Sequence, residues 1–88
     1  MKINFTETGW DDYLYWQGQD KKTLKRINTL IQDISRNGYG GIGKPEALKD
    51  DFSGWWSKRI DDANRLVYRL MNDGSIEITQ YRGHYNDK

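Results

Sequence analysis

Glu46, Arg59, Arg65 and His84 carry between them the groups that breaking an RNA phosphodiester requires. Such a cleavage needs a base to take the proton from a ribose 2′-OH, cations for the charge that develops on phosphorus, and an acid for the departing 5′-oxygen. Glu46 follows Pro45, which restricts the backbone leading into it and can hold a carboxylate beside a basic surface. A guanidinium meets phosphate through a planar, permanently charged fork, which suits Arg59 and Arg65 to the second task. His84, the only histidine, has a reference pKa of about 6.5 that suits a proton donor near neutral pH. Tyr81 and Tyr85 offer rings for base stacking or hydroxyls for the phosphate.

Each of these residues also fits a plain structural role. Glu46 has the chemistry of a helix-start carboxylate. His84 can be a bystander near the chain end, and Arg59 and Arg65 can be sheet-edge charges that discourage aggregation. Trp10, Trp16, Trp55 and Trp56 are read as core and helix-to-sheet packing instead of base stacking, because aromatics dominate small cores.

Gly38 to Lys44, GYGGIGK, has the G-x-x-x-x-G-K spacing of a phosphate-binding P-loop. That motif continues with a magnesium-ligating Ser or Thr and joins a buried strand to a helix, whereas here Pro45 follows and a helical pattern precedes. A P-loop domain also needs several strand–helix–strand units of about 30 residues each, and a chain of 88 residues has no room for them. The loop is read as a connection that carries the chain from a helix toward a sheet and delivers Glu46.

The length sets one domain, residues 1–88, with 86–88 expected as a disordered tail. With no cysteine there is no disulfide framework, thiolate zinc site or cysteine nucleophile, and one histidine makes a histidine metal cage unexpected; no metal and no cofactor are expected. No segment has the apolar length of a signal peptide or membrane span, so a soluble cytoplasmic protein is expected. The net charge is only +1, but it is segregated. Lys21, Lys22, Lys25, Arg26 and Arg36 face a single acid, Asp33, in one stretch, and Lys58, Arg59, Arg65, Arg69 and Arg82 recur at strand positions. Such segregation permits a basic face on a nearly neutral protein.

The elements that must position these groups follow from periodicity. Ile3 to Phe5 fits a short strand. Thr8 reads as an N-cap for a helix ending near Gly18, with Trp10, Tyr13 and Leu14 on one face. Asp20 caps a second helix carrying Leu24, Ile27, Leu30, Ile31 and Ile34, which Asn37-Gly38 ends. Glu46 to Leu48 reads as one helical turn with Leu48 inward. Beyond Gly54 the period becomes 2, and residues 55–60, 65–71 and 75–82 read as an antiparallel meander separated by DDAN and NDG turns. The expected fold is α+β: two N-terminal helices packed on one face of a small, mainly antiparallel four-stranded sheet. Leu66, Tyr68 and Leu70 should face the helices, and Arg65, Val67 and Arg69 the open side, a surface for an extended polyanion. A hairpin loop of even length after Ile60 would put Arg59 and Arg65 on opposite faces, so an odd loop or a β-bulge is expected.

WDDYLYW (10–16), the GKPE run ending at Glu46, LKDDFSGWWSKRI (48–60), RLVY (65–68) and the terminal HY (84–85) resemble, in order and spacing, the YoeB-type toxins of the RelE/ParE superfamily. These are ribosome-dependent mRNA endoribonucleases of bacterial toxin–antitoxin modules, with the RelE-like microbial RNase fold. The resemblance spans nearly the whole chain. It implies Glu46 as general base, Arg65 and Arg59 as phosphate and transition-state ligands, His84 as general acid, Tyr85 completing the site and Lys49 lining it. It implies a metal-independent transesterification that leaves a 2′,3′-cyclic phosphate and a 5′-OH, on mRNA in the ribosomal A site. A YefM-type antitoxin would neutralise the toxin, operator DNA would be met only through the antitoxin complex, and a homodimer is possible. Lys21, Lys22, Lys25 and Arg26 would then meet ribosomal RNA. Lys58 stands where a second arginine is expected, so a bidentate phosphate contact there becomes a point-charge contact. Residues 86–88 extend beyond the usual terminal His-Tyr pair. Two other readings share the fold: a binding module of the gyrase-inhibitor type, which lacks the carboxylate–histidine pair, and a protein acting chiefly as a co-repressor with its antitoxin.

Overall fold

The structure, a computed structural model, describes residues 2–80. The chain runs β1 (Ile3–Phe5), α1 (Glu7–Gln19), α2 (Lys21–Asn37), β2 (Glu46–Ala47), β3 (Trp56–Arg59), β4 (Arg65–Leu70) and β5 (Ile76–Gln80), with a 3-10 turn at Asp50–Phe52. The strands form a 5-stranded sheet in the order β1-β5-β4-β3-β2. All neighbours are antiparallel except β1, which lies parallel to β5.

Two local expectations change. The first helix is capped by Thr6, whose hydroxyl accepts the Gly9 N–H at 3.1 Å, and Thr8 lies inside its first turn. Glu46–Ala47 forms a strand, not a helical turn, because both residues pair with β3, Glu46 opposite Ser57 and Ala47 opposite Trp56. That pairing supplies the fifth strand where four were expected. Leu48, as expected, is buried.

Asp20 alone separates the helices, and its carboxylate accepts from the Lys22 N–H at 3.0 Å and the Thr23 hydroxyl at 2.8 Å. The apolar stripe of α2 then drives its packing. Ile27, Leu30 and Ile34 are buried against Ile60, Leu66, Tyr68, Ile76 and Ile78, with Tyr13 and Trp16 of α1 packed at the margin. Truncating Leu30 to Ala would cost about 2–5 kcal/mol at such a site. Gly38 ends α2 with φ 60, a backbone conformation that glycine adopts without a Cβ penalty. The chain next inserts Tyr39, stacked on Trp56 with centroids 4.7 Å apart. Burial, with the Tyr39 and Asp33 charges adding to it, pushes the neighbouring Tyr68 hydroxyl well above its usual range. It stays neutral and donates to the Gly38 carbonyl at 3.3 Å.

The opposite sheet face takes Ser57, Arg59, Arg65, Val67, Arg69 and Glu77 by strand alternation. Trp55 joins that side, with the Arg69 guanidinium 4.5 Å above its ring, and Trp10 is 46% exposed. The packing role expected for all four tryptophans holds for Trp16 and Trp56, which border the core, and for Trp10, whose ring lies 5.4 Å from that of Phe5 and so packs α1 on β1, while Trp55 lies under Arg69. Among the described residues no helix is long and apolar enough to cross a membrane.

Candidate active site

Three sequence-derived candidates converge at one end of the open face. The loop between β3 and β4 runs over residues 60–64, an odd number, so Arg59 and Arg65 become direct partners and their side chains leave the same side of the sheet. The expected odd loop is thus present. Asp61 shapes it: one carboxylate oxygen accepts the Ala63 and Asn64 N–H groups at 2.9 and 2.8 Å. On the other flank of β3, the pairing of Glu46 with Ser57 brings Glu46 to this same face.

Arg65 is the fixed element of the group. Its Nε donates to the Ser57 hydroxyl at 2.8 Å, one Nη donates to the Lys44 carbonyl at 3.3 Å, and that nitrogen lies 3.6 Å from Glu46 Oε1. The Arg65 side chain is 15% exposed and the Glu46 side chain 51%, so the carboxylate stands at the solvent side of a restrained guanidinium. The outer carboxylate oxygen of Glu46 is thus left toward solvent. Arg59 shares the face, but its guanidinium is paired with Asp62 in the hairpin loop.

Lys58 departs from expectation. Its basic type and strand position predict a surface cation able to touch phosphate, yet it points to the helix side and is fully buried. Its ammonium is paired with Asp33 of α2 and donates to the Gly40 carbonyl at 2.7 Å. Strand alternation is the cause: with Arg59 on the open face, Lys58 must lie on the other. The Asp33 carboxyl is pushed up by burial, but hydrogen bonds from Lys58 and Asn37 and the Lys58 charge outweigh this and hold it below its ordinary value.

Lys49 is exposed just before the 3-10 turn. Lys21, Lys22 and Lys25 lie exposed on α2, while Arg26 donates to the Arg59 carbonyl at 3.2 Å and so anchors the end of β3. His84, Tyr81, Tyr85 and the 86–88 tail lie outside the described residues. Sequence reasoning missed Ser57, the Gly43 and Lys44 carbonyls and Asp62. Backbone acceptors leave no mark in a residue pattern, although the repeated glycines and Pro45 flagged an irregular loop at that place. Among the described residues no group of His, Cys, Asp and Glu could hold a metal ion.

Two helices over one face of a mixed sheet give the architecture of the small RelE/ParE-type toxins, shared with a YoeB/ParE toxin from Agrobacterium tumefaciens at a TM-score of 0.92 and 44% identity, over 97% of this chain and 100% of that one. Residues 5–85 match the family model described as YoeB-like toxin of bacterial type II toxin-antitoxin system, and the chain belongs to that YoeB family. A toxin YoeB from Streptomyces coelicolor is 54% identical over 85 residues, covering 97% of this chain and 100% of the relative. A YoeB-YefM complex from Staphylococcus aureus matches with a TM-score of 0.89 at 42% identity, over 97% of this chain and 98% of that one. A YoeB dimer from the same organism matches with a TM-score of 0.88 at 44% identity, with the same coverage of each chain.

Proposed function

We propose that this toxin is an endoribonuclease that cuts mRNA in the ribosomal A site and so arrests translation. Glu46 takes the proton from the ribose 2′-OH, and the 2′-oxygen attacks the adjacent phosphorus. Arg65, joined by Arg59, stabilises the negative charge on the phosphoryl oxygens as the five-coordinate state forms. His84 protonates the 5′-oxygen as its bond to phosphorus breaks, leaving a 2′,3′-cyclic phosphate and a 5′-OH. Tyr85 and Tyr81 hold the base or phosphate, and Lys49 adds positive charge beside Glu46. Every proton in this scheme is moved by a side chain and the charge is met by guanidiniums, so the chemistry calls for no metal ion.

The observation that carries this reading is the Glu46–Arg65 contact, with a guanidinium nitrogen 3.6 Å from the carboxylate on an open sheet face. A base and a transition-state cation must lie within one nucleotide of each other, and the 3.6 Å separation supports those roles for Glu46 and Arg65. Regulation follows from the same face. A YefM-type antitoxin as partner is supported by the staphylococcal YoeB-YefM complex, and it would neutralise the toxin by covering this face. Operator DNA would be met only through that complex, and the free toxin is proposed to pair as a homodimer in the cytoplasm, as a staphylococcal YoeB has been seen to pair. Lys21, Lys22, Lys25 and Arg26 would meet ribosomal RNA.

The test is purified protein added to ribosomes programmed with a message, with 5′ ends mapped by primer extension beside naked RNA and an E46A/H84A double variant. New ends from the wild type and none from the double variant are expected. An intact message together with inhibited gyrase would transfer the protein to the gyrase-inhibitor reading.

A further inference from the structure

The segment leading into Glu46 is tied down at successive points, and the ties converge on one ion pair, between the buried Lys58 and the part-buried Asp33. Lys58 reaches up from β3 to the Gly40 carbonyl at 2.7 Å and to Asp33. Asp33 in turn accepts the Ile42 N–H at 3.1 Å and the Asn37 amide at 2.7 Å. The next carbonyls meet the arginines: Gly43 accepts the Arg59 N–H at 2.7 Å, and Lys44 accepts the Arg65 guanidinium at 3.3 Å. Gly43 has φ 88, and a Cβ there would lie 3.0 Å from both Leu30 and the Lys58 Cβ, so the loop is pressed against this lysine.

Lys44 itself has φ 49 immediately before Pro45. A non-glycine residue at positive φ is uncommon, and such strain persists only where the surroundings over-determine it. The strained residue also supplies the carbonyl that restrains Arg65, two positions before Glu46. A fully buried ammonium would be an expensive way to fill this space with mass alone, since an apolar chain of the same length packs without desolvating a charge.

We propose that Lys58, paired with Asp33, is a positioning residue that sets the Gly40–Lys44 backbone and through it the placement of Glu46 and Arg65. This rests on the ribonuclease reading for its catalytic consequence, but not for its structural one. Lys58 touches no substrate; the lysine acts where one more arginine had been expected to bind phosphate.

The experiment compares wild type with K58M, K58R and a D33N/K58M double variant, which removes both charges and leaves none unpaired. Amide hydrogen exchange is read at Ile42 and Arg59, whose N–H groups bond to Asp33 and Gly43, against the Tyr68 and Ile78 amides of the central sheet. Turnover on programmed ribosomes is read beside it. In K58M and the double variant, exchange at Ile42 and Arg59 should quicken while the central sheet stays protected. Their kcat should fall on the order of 10²-fold, the cost of a displacement near 1 Å, with KM held within about two-fold. K58R should restore both. If K58M does not fold, the double variant decides. Wild-type protection at Ile42 and Arg59 in a folded variant lacking Lys58 overturns the proposal, as does wild-type kcat. Failure of the wild type to cut the message would overturn the ribonuclease reading instead, and the exchange arm would decide this proposal unaided.

Discussion

Arg59 and Arg65 face one another as direct partners across the β3–β4 hairpin, and both are bonded to the loop before Glu46, Arg59 through its N–H to Gly43 and Arg65 through its side chain to Lys44. One hairpin and one loop thus fix both guanidinium bases. The proposed transition-state contacts should be correspondingly sensitive. Arg65→Ala is expected to lower single-turnover cleavage on ribosomes by about 10²–10³-fold, the effect of losing an oxyanion donor. Arg65→Lys should recover little, because an ammonium cannot bond Ser57 and Lys44 while presenting a fork to phosphate.

The two proposed proton-transfer roles predict a bell-shaped dependence of kcat/KM on pH. Glu46→Ala should abolish the acid limb and His84→Ala the alkaline limb, each with a large fall in rate. A profile whose two limbs survive both substitutions would remove these residues from the proton-transfer roles.

Asp62 competes for Arg59. Its side chain is 94% exposed and that of Arg59 39%, so the ion pair is worth at most about 1 kcal/mol. Asp62→Asn should free the guanidinium and lower KM for programmed ribosomes by up to about five-fold at low salt, with the gain shrinking as salt rises. An unchanged KM across a salt series would mean that Arg59 does not act at the phosphate.

Thr6 holds both the start of α1 and the edge of β5, accepting from Gly9 and lying 3.0 Å from the Thr79 hydroxyl. Thr6→Ala should cost about 1 kcal/mol, read as a lower urea midpoint with an unchanged slope.

Acid should weaken the fold through Asp33. Its folded carboxyl titrates below the ordinary value of 3.8, so its contribution is fully present above about pH 4 and is lost as pH falls through the lowered value. Asp20 and Asp73, held low by hydrogen bonds from Thr23 and Ser75, lose their contributions in the same direction. Urea midpoints measured from pH 5 down to 2 should decline for the wild type, and less steeply for the D33N/K58M variant.

The strand and helix pattern was open to reading because each element has one buried face: the stripe of α2 and the alternation of β4 record burial directly in residue type. Glu46, Arg59 and Arg65 could be picked out because a carboxylate and guanidiniums are the groups that phosphodiester cleavage calls for. Their convergence could not be. It depends on whether Ile60 ends a strand or begins a loop, and one residue either way exchanges every side chain between the two faces. The structure resolves that choice by placing Ile60 at the head of an Asp61-capped loop. The fifth strand escaped notice because two residues, Glu46 and Ala47, are too few to show a period and are held only by a partner strand distant in sequence. Lys58 shows the division most sharply. By composition it belonged with the surface cations, since lysine is almost never fully buried unless paired. Sequence by itself determined that this chain folds as two helices on a meander and carries a carboxylate–arginine set. Only the tertiary structure decided which cations face outward, because a charge can be buried where a partner 25 residues away in the chain, here Asp33, arrives to meet it.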